Sequence, residues 1–195
     1  LNDSPPIVTG DGYAMAYRAG AELIDMEFID YQVLTAAPER LAGYPCYSTG
    51  LLTAGGHLLN GLGARFMEKY DPERMELTSR AMNTRAMAME IFEGRGTPGG
   101  NINIDIRHVF DAVNQGPGKS IIATMAKNNI DLSKEFLEVG AAPHTYLGGL
   151  RIDEWGRSTI EGLYAGGEAA GGIHGANRLG ASALMQGLAD GYFVL

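Results

Sequence analysis

The stretch GGIHGANRLGAS, residues 171–182, constrains the fold more than any other part of the chain. It sets four glycines, a histidine, an asparagine and an arginine directly before ALMQGLADGYF, which has the apolar spacing of a helix. Glycine permits left-handed backbone and close approach to a ligand. A glycine turn that opens a helix presents unbonded N–H groups and the positive end of the helix dipole, a setting that suits an anion. Arg178 adds a planar fork able to grip a carboxylate, and His174 and Asn177 can fix the turn. The plainer alternative is a structural loop carrying a surface arginine. The bias extends along the chain: 28 of 195 residues are glycine, about twice the usual share of about 7%. The glycines cluster without a period at residues 10–12, 55–63, 94–100, 148–149 and 162–180.

Between these clusters the pattern alternates helix and strand. YAMAYRAGA reads as a helix ending near Gly20, and residues 22–32 as one or two strands. Residues 36–52 have no clear period and read as loop. Residues 57–67 read as a strand, a glycine turn and a return strand. Asp71-Pro72 offers an N-cap and first helical position for a helix over 73–93, with Met75, Met82, Ala86, Met89 and Phe92 near one face and Gly94 as its stop. NINIDI, residues 101–106, alternates as a strand. Helices are expected at 119–128 and 132–137, strands at 146–152 and 163–165, and a last helix at 181–193. Both ends are abrupt, which reads as a piece of a larger chain.

The net charge of −8 and the lack of any basic run argue against nucleic acid or an anionic membrane as main partner. No apolar run is long enough to span a bilayer, and the N-terminus lacks a signal-peptide pattern. A single cysteine, Cys46, fits a reducing compartment, so a cytoplasmic location is expected. Four scattered histidines, with no HExxH or CxxC, give no metal site.

In LYAGGEAA, residues 163–170, a short apolar run meets two glycines and then Glu168. A carboxylate at such a strand end can accept hydrogen bonds from ribose hydroxyls; a tight turn with a solvated glutamate is equally open. No GxGxxG follows a strand near the N-terminus, so this chain does not hold a complete dinucleotide site.

Taken in order, TGDGYAMAYRAGAELIDMEFI, GRGTPGGNINIDIRH, PHTYLGG, GLYAGGE and HGANRLG followed by x-S-x-L resemble the flavoprotein subunits of fumarate reductase and succinate dehydrogenase, a family that includes L-aspartate oxidase. The motifs cover residues 9–188. The resemblance implies a mixed α/β and α+β chain: part of a Rossmann-like FAD-binding domain at 1–35 and 140–195, interrupted by an α+β capping domain at 36–139. It implies FAD as cofactor. Asp11 matches a cofactor-contacting aspartate, although a helix cap is a serious alternative. Glu168 matches the glutamate that holds the FAD ribose. Leu179, Gly180, Ala181, Ser182, Ala183 and Leu184 match the turn and helix start facing the flavin, beside Arg178. Arg178 and His144 match substrate-carboxylate ligands, and Arg80 the cap arginine that delivers a proton to the substrate carbon, against the reading of a solvated helix arginine.

Two segments depart from the family pattern. F-x-Q-x-H-P-T appears as FIDYQVLT, so Gln32 stands where a substrate-binding histidine is expected. T-E-G-x-R appears as STGLL, which leaves Ser48 and Thr49 as the substrate-binding positions, with Thr49 and Leu52 in place of a glutamate–arginine proton relay. The resemblance therefore implies electron-transport chemistry, hydride transfer between flavin N5 and a small carboxylate-bearing substrate, with the substrate itself open. The implied partners are the remainder of a flavoprotein chain and an iron–sulfur subunit, and membrane association would come through partner subunits. The alternatives are a non-catalytic module without FAD, and amino-acid oxidation of the L-aspartate oxidase kind.

Overall fold

The computed structural model describes residues 4–46 and 48–194. In chain order its elements are α1 (Asp11–Arg18), β1 (Leu23–Ile24), β2 (Ile29–Thr35), α2 (Ser48–Leu52), β3 (His57–Leu59), α3 (Met67–Tyr70), α4 (Arg80–Phe92), β4 (Ile102–Asp105), α5 (Phe110–Gln115), α6 (Lys119–Lys127), β5 (Leu137–Tyr146), β6 (Gly149–Leu150) and α7 (Ser182–Val194). Single 3₁₀ turns lie at Glu39–Leu41, Met75–Leu77, Arg107–Val109 and Gly167–Ala169. The chain divides into two compact units, Tyr31–Ala142 and Ser4–Asp30 with Pro143–Leu195.

The Tyr31–Ala142 unit is built around a sheet of order β2-β5-β4-β3. The alternation of NINIDI sets its register. Leu58 opposes Ile104, which opposes Leu137, and Ile102 opposes Val139. These five side chains share one pleated face and are buried, together with Leu51, Met67, Met87 and Ile121. Cys46 lies in the same core, where its thiol donates to the Val33 carbonyl at 3.1 Å.

The structure departs from the sequence-based expectation at several places in this unit. The helix expected over 73–93 is two elements. Met75 takes a left-handed φ of 52°, and its N–H closes a separate turn on the Asp71 carbonyl. That turn lets buried Glu76 accept bonds from the Leu58 N–H and from Arg65. Helix α4 then starts afresh, with the Ser79 hydroxyl accepting the Met82 N–H. Its buried face is Asn83, Thr84, Ala86, Met87 and Glu90, whereas Phe92 is 86% exposed. Polar anchoring turns the helix: Glu90 accepts bonds from Arg95, Asn60 and Tyr70, and Asn83 donates to the Glu76 carbonyl. The helix expected at 132–137 is absent because Asp131 closes a turn on Lys134 and Glu135, and Leu137 begins β5. Residues 36–52 contain α2 and a 3₁₀ turn, and the return strand after β3 is reduced to a bridge, Leu59↔Arg65.

The second unit has a small core of Ala16, Ala21, Leu150, Ala165 and Ala170. Antiparallel β1 and β6 pair Leu23 with Leu150 and Ile24 with Gly149, so the strand expected over 146–152 is shorter. That expected at 163–165 is a bridge, Arg157↔Tyr164. Backbones approach closely here. A Cβ on Gly149 would lie 2.4 Å from the Ala169 carbonyl oxygen, and one on Gly171 2.5 Å from the Gly149 nitrogen, so only glycine fits. Helix α1 follows left-handed Gly10, with Asp11 in its first turn and Arg18 in its last, each favourable to the dipole.

Candidate functional site

Within the second unit, the turn containing Glu168 is held from two sides. Gly167 is left-handed at φ 63°. Its N–H donates to Asp190 Oδ2 at 2.7 Å, and its carbonyl accepts from Gln186 Nε2 at 3.1 Å. Gln186 and Asp190 lie four residues apart on α7, hence on one helical face. On the other side, the Tyr146 N–H donates to Glu168 Oε1 at 3.0 Å, and the Tyr13 hydroxyl donates to the Glu168 carbonyl at 2.6 Å. Burial, then the nearby Glu168 carboxylate, push the Tyr13 hydroxyl up to about 12, so it stays a donor at neutral pH. Glu168 is thus exposed yet oriented, with Oε2 outside these bonds.

The turn at 179–184 lies at the surface. Leu179 is 76% and Leu184 77% exposed, and a Cβ on Gly180 would meet nothing within 4 Å. Ala181 is left-handed at φ 67°. Not every amide of the turn is bare: the Ser182 N–H reaches the Leu179 carbonyl and the Leu184 N–H that of Ala181, while the Ser182 hydroxyl also donates to Leu179. Ala183 is half-buried in the first turn of α7.

Arg178 is not a surface arginine. Its Nε and Nη2 donate to Asp30 Oδ2 at 3.2 and 2.9 Å, and the two side chains are 5% and 4% exposed. Asp30 was not singled out by the sequence, although it occupies the glutamine position of F-x-Q-x-H-P-T. Gln186 and Asp190 were missed too; two polar residues at i and i+4 in an otherwise apolar helix are the signal that could have found them.

The other candidate positions are distributed over both units. Asp11 is exposed in the first turn of α1 and accepts a bond from the Thr9 hydroxyl at 2.9 Å. Gly10, not Asp11, is the N-cap. His144 is half-buried on β5 in the second unit. Gln32, half-buried on β2, and Arg80, half-buried at the start of α4, belong to the Tyr31–Ala142 unit. Ser48 and Thr49 fall in α2, but their side chains lie outside the described residues. Leu52 is buried in the core. Among the described residues no cluster of His, Cys, Asp or Glu could hold a metal, and no helix is long and apolar enough to cross a membrane.

These features fit a dinucleotide of the flavin type. An oriented carboxylate can take ribose hydroxyls, and an open helix start lies on the same unit. Comparison with known proteins identifies the family. The family described as FAD binding domain matches residues 3–184. One chain of the fumarate reductase (CoM/CoB) of Methanothermobacter marburgensis is 42% identical over 181 residues, 90% of this chain and 32% of that protein. L-aspartate oxidase of Streptomyces coelicolor is 36% identical, over 95% of this chain and 32% of that protein. Among solved structures, the FrdA chain of an E. coli quinol fumarate reductase variant superposes with a TM-score of 0.83 at 32% identity, covering 99% of this chain and 35% of that one. Sdh1 of Mycobacterium smegmatis gives 0.76 at 32% identity, with 100% and 34% coverage. The chain thus spans about a third of the length of the relatives it matches and shares their mixed helix-and-sheet fold. Its relatives are FAD-dependent oxidoreductases of the fumarate reductase, succinate dehydrogenase and L-aspartate oxidase kinds.

Proposed function

This chain belongs to the FAD-binding domain family, and from that premise we propose that it forms the substrate-facing part of an FAD-dependent oxidoreductase acting on a carboxylate-bearing substrate. FAD, when bound, supplies hydride transfer at its N5. The observation that carries the reading is the Glu168 carboxylate, oriented by the Tyr146 amide and by α7 on a unit that also presents the open turn at 179–184. Glu168 would hold the cofactor's ribose, and residues 179–184 would face its ring, where the positive end of the α7 dipole would favour negative charge. Asp11 contributes a further cofactor contact.

The Ser4–Asp30 and Pro143–Leu195 unit takes the part of an incomplete Rossmann-like flavin domain, and the Tyr31–Ala142 unit that of the cap. Arg178 and His144 orient the carboxylate. Arg80 delivers a proton to the substrate carbon. It stands at the start of α4. Electrons reach the intact protein through an iron–sulfur subunit, and any membrane association comes through such partners. A substrate of the L-amino acid type is the second reading, favoured by the L-aspartate oxidase relatives.

The test uses the intact FAD-loaded protein, reduced anaerobically and mixed with α,β-unsaturated carboxylates. Flavin reoxidation that Arg80→Ala abolishes, with flavin absorbance unchanged, supports the reading. Flavin reoxidised at the same rate in the variant removes Arg80 from it, and reduction of the oxidised protein's flavin by L-amino acids, with no reoxidation by unsaturated carboxylates, selects the second reading.

A further inference from the structure

The Asp30–Arg178 pair bears on which substrate the site accepts. The two side chains are almost entirely buried, and two of the three guanidinium nitrogens, Nε and Nη2, are directed at one carboxylate oxygen. Among the described residues, Nη1 is the nitrogen of Arg178 outside this pair. An arginine so engaged still donates a hydrogen bond, but the pair carries no net charge toward a ligand. Charge matters most in such a setting, because a buried pair is screened far less than a surface one. A dianion loses more hydration on binding than a monoanion and recovers it only against net positive charge.

We infer that Asp30 is a specificity-determining residue: by neutralising Arg178 it tunes the site for a monocarboxylate over a dicarboxylate. The inference rests on the proposed contact between Arg178 and substrate. Asp30 touches Arg178 and acts through it, so it sets binding preference without taking part in proton or hydride transfer.

The experiment is calorimetric titration of the intact FAD-loaded protein with propanoate and with malonate, which have three carbons each and differ by one carboxylate. The wild-type protein is expected to bind propanoate at least as tightly as malonate. Asp30→Asn is expected to shift the ratio of the two dissociation constants toward malonate by about tenfold, as a restored positive charge favours the dianion, and Asp30→Glu is expected to keep the wild-type ratio. Tighter malonate binding by the wild-type protein overturns the inference, and needs no variant to fold. An unchanged ratio in a folded Asp30→Asn protein also overturns it. Binding of neither acid overturns the carboxylate reading itself, and the inference with it.

Discussion

The carboxylate of Asp190 accepts the Gly167 N–H at 2.7 Å, and so ties α7 to the turn that presents Glu168. Gly166 is part of the same joint, since a Cβ there would lie 2.8 Å from the Asp190 Cβ. A hydrogen bond to a charged group contributes about 1.5–3 kcal/mol. Asp190→Ala is therefore expected to weaken FAD binding by about tenfold or more, with Asp190→Asn largely restoring it because an amide oxygen still accepts the bond. Fluorescence titration of the apoprotein with FAD reads this, and equal affinities for wild type and Asp190→Ala would detach the helix from cofactor binding.

Glu90 is the polar anchor of the Tyr31–Ala142 unit. Hydrogen bonds from Arg95 hold its carboxyl down at about 2, against an ordinary 4.5, despite burial acting the other way. Because the folded value is depressed, this stabilisation is complete above about 4.5 and disappears as pH falls toward about 2. Glu90→Gln is expected to cost about 2 kcal/mol at neutral pH, since the buried carboxylate accepts hydrogen bonds from Arg95, Asn60 and Tyr70 that a neutral amide accepts more weakly. Urea unfolding across that pH range should show the wild-type and variant curves converging in acid.

His57 and His108 stack with ring centroids 4.1 Å apart, and His108 Nε2 lies 2.9 Å from the Gly55 carbonyl oxygen. Burial, then Arg65 and His108, lower His57 from its usual 6.5, with Glu76 and Asp105 opposing them. A base depressed in the folded state contributes stability that is present above about 6.5 and lost as pH falls below it. Thermal unfolding should therefore shift to lower temperature from neutral pH toward pH 5.5, and His57→Gln should flatten that slope. An identical slope in the variant would assign the pH dependence to other groups.

Cys46 is fully buried, and burial pushes its thiol up to about 12. It should react with a thiol reagent only as the protein unfolds, because the thiolate is the reactive form. Mass spectrometry after a native-state pulse is expected to find it unmodified.

Short-range patterns were legible without coordinates. The alternation of Ile102, Ile104 and Ile106, the helix through YAMAYRAGA and the helix after the HGANRLG run are each written in a few neighbouring residues, because period and glycine conformation are local properties. The family motifs are local as well, so cofactor type could be read from them. The long-range polar joints could not. Asp30 meets Arg178 across 148 positions and Gly167 meets Asp190 across 23. Glu76 and Glu90 look like solvated helix charges until Arg65 and Arg95 are seen to bury them. Sequence by itself determined which residues are available and how each short segment prefers to run. Only the tertiary structure decided which charges are paired and buried, because desolvation and ion pairing depend on neighbours that folding brings from distant parts of the chain.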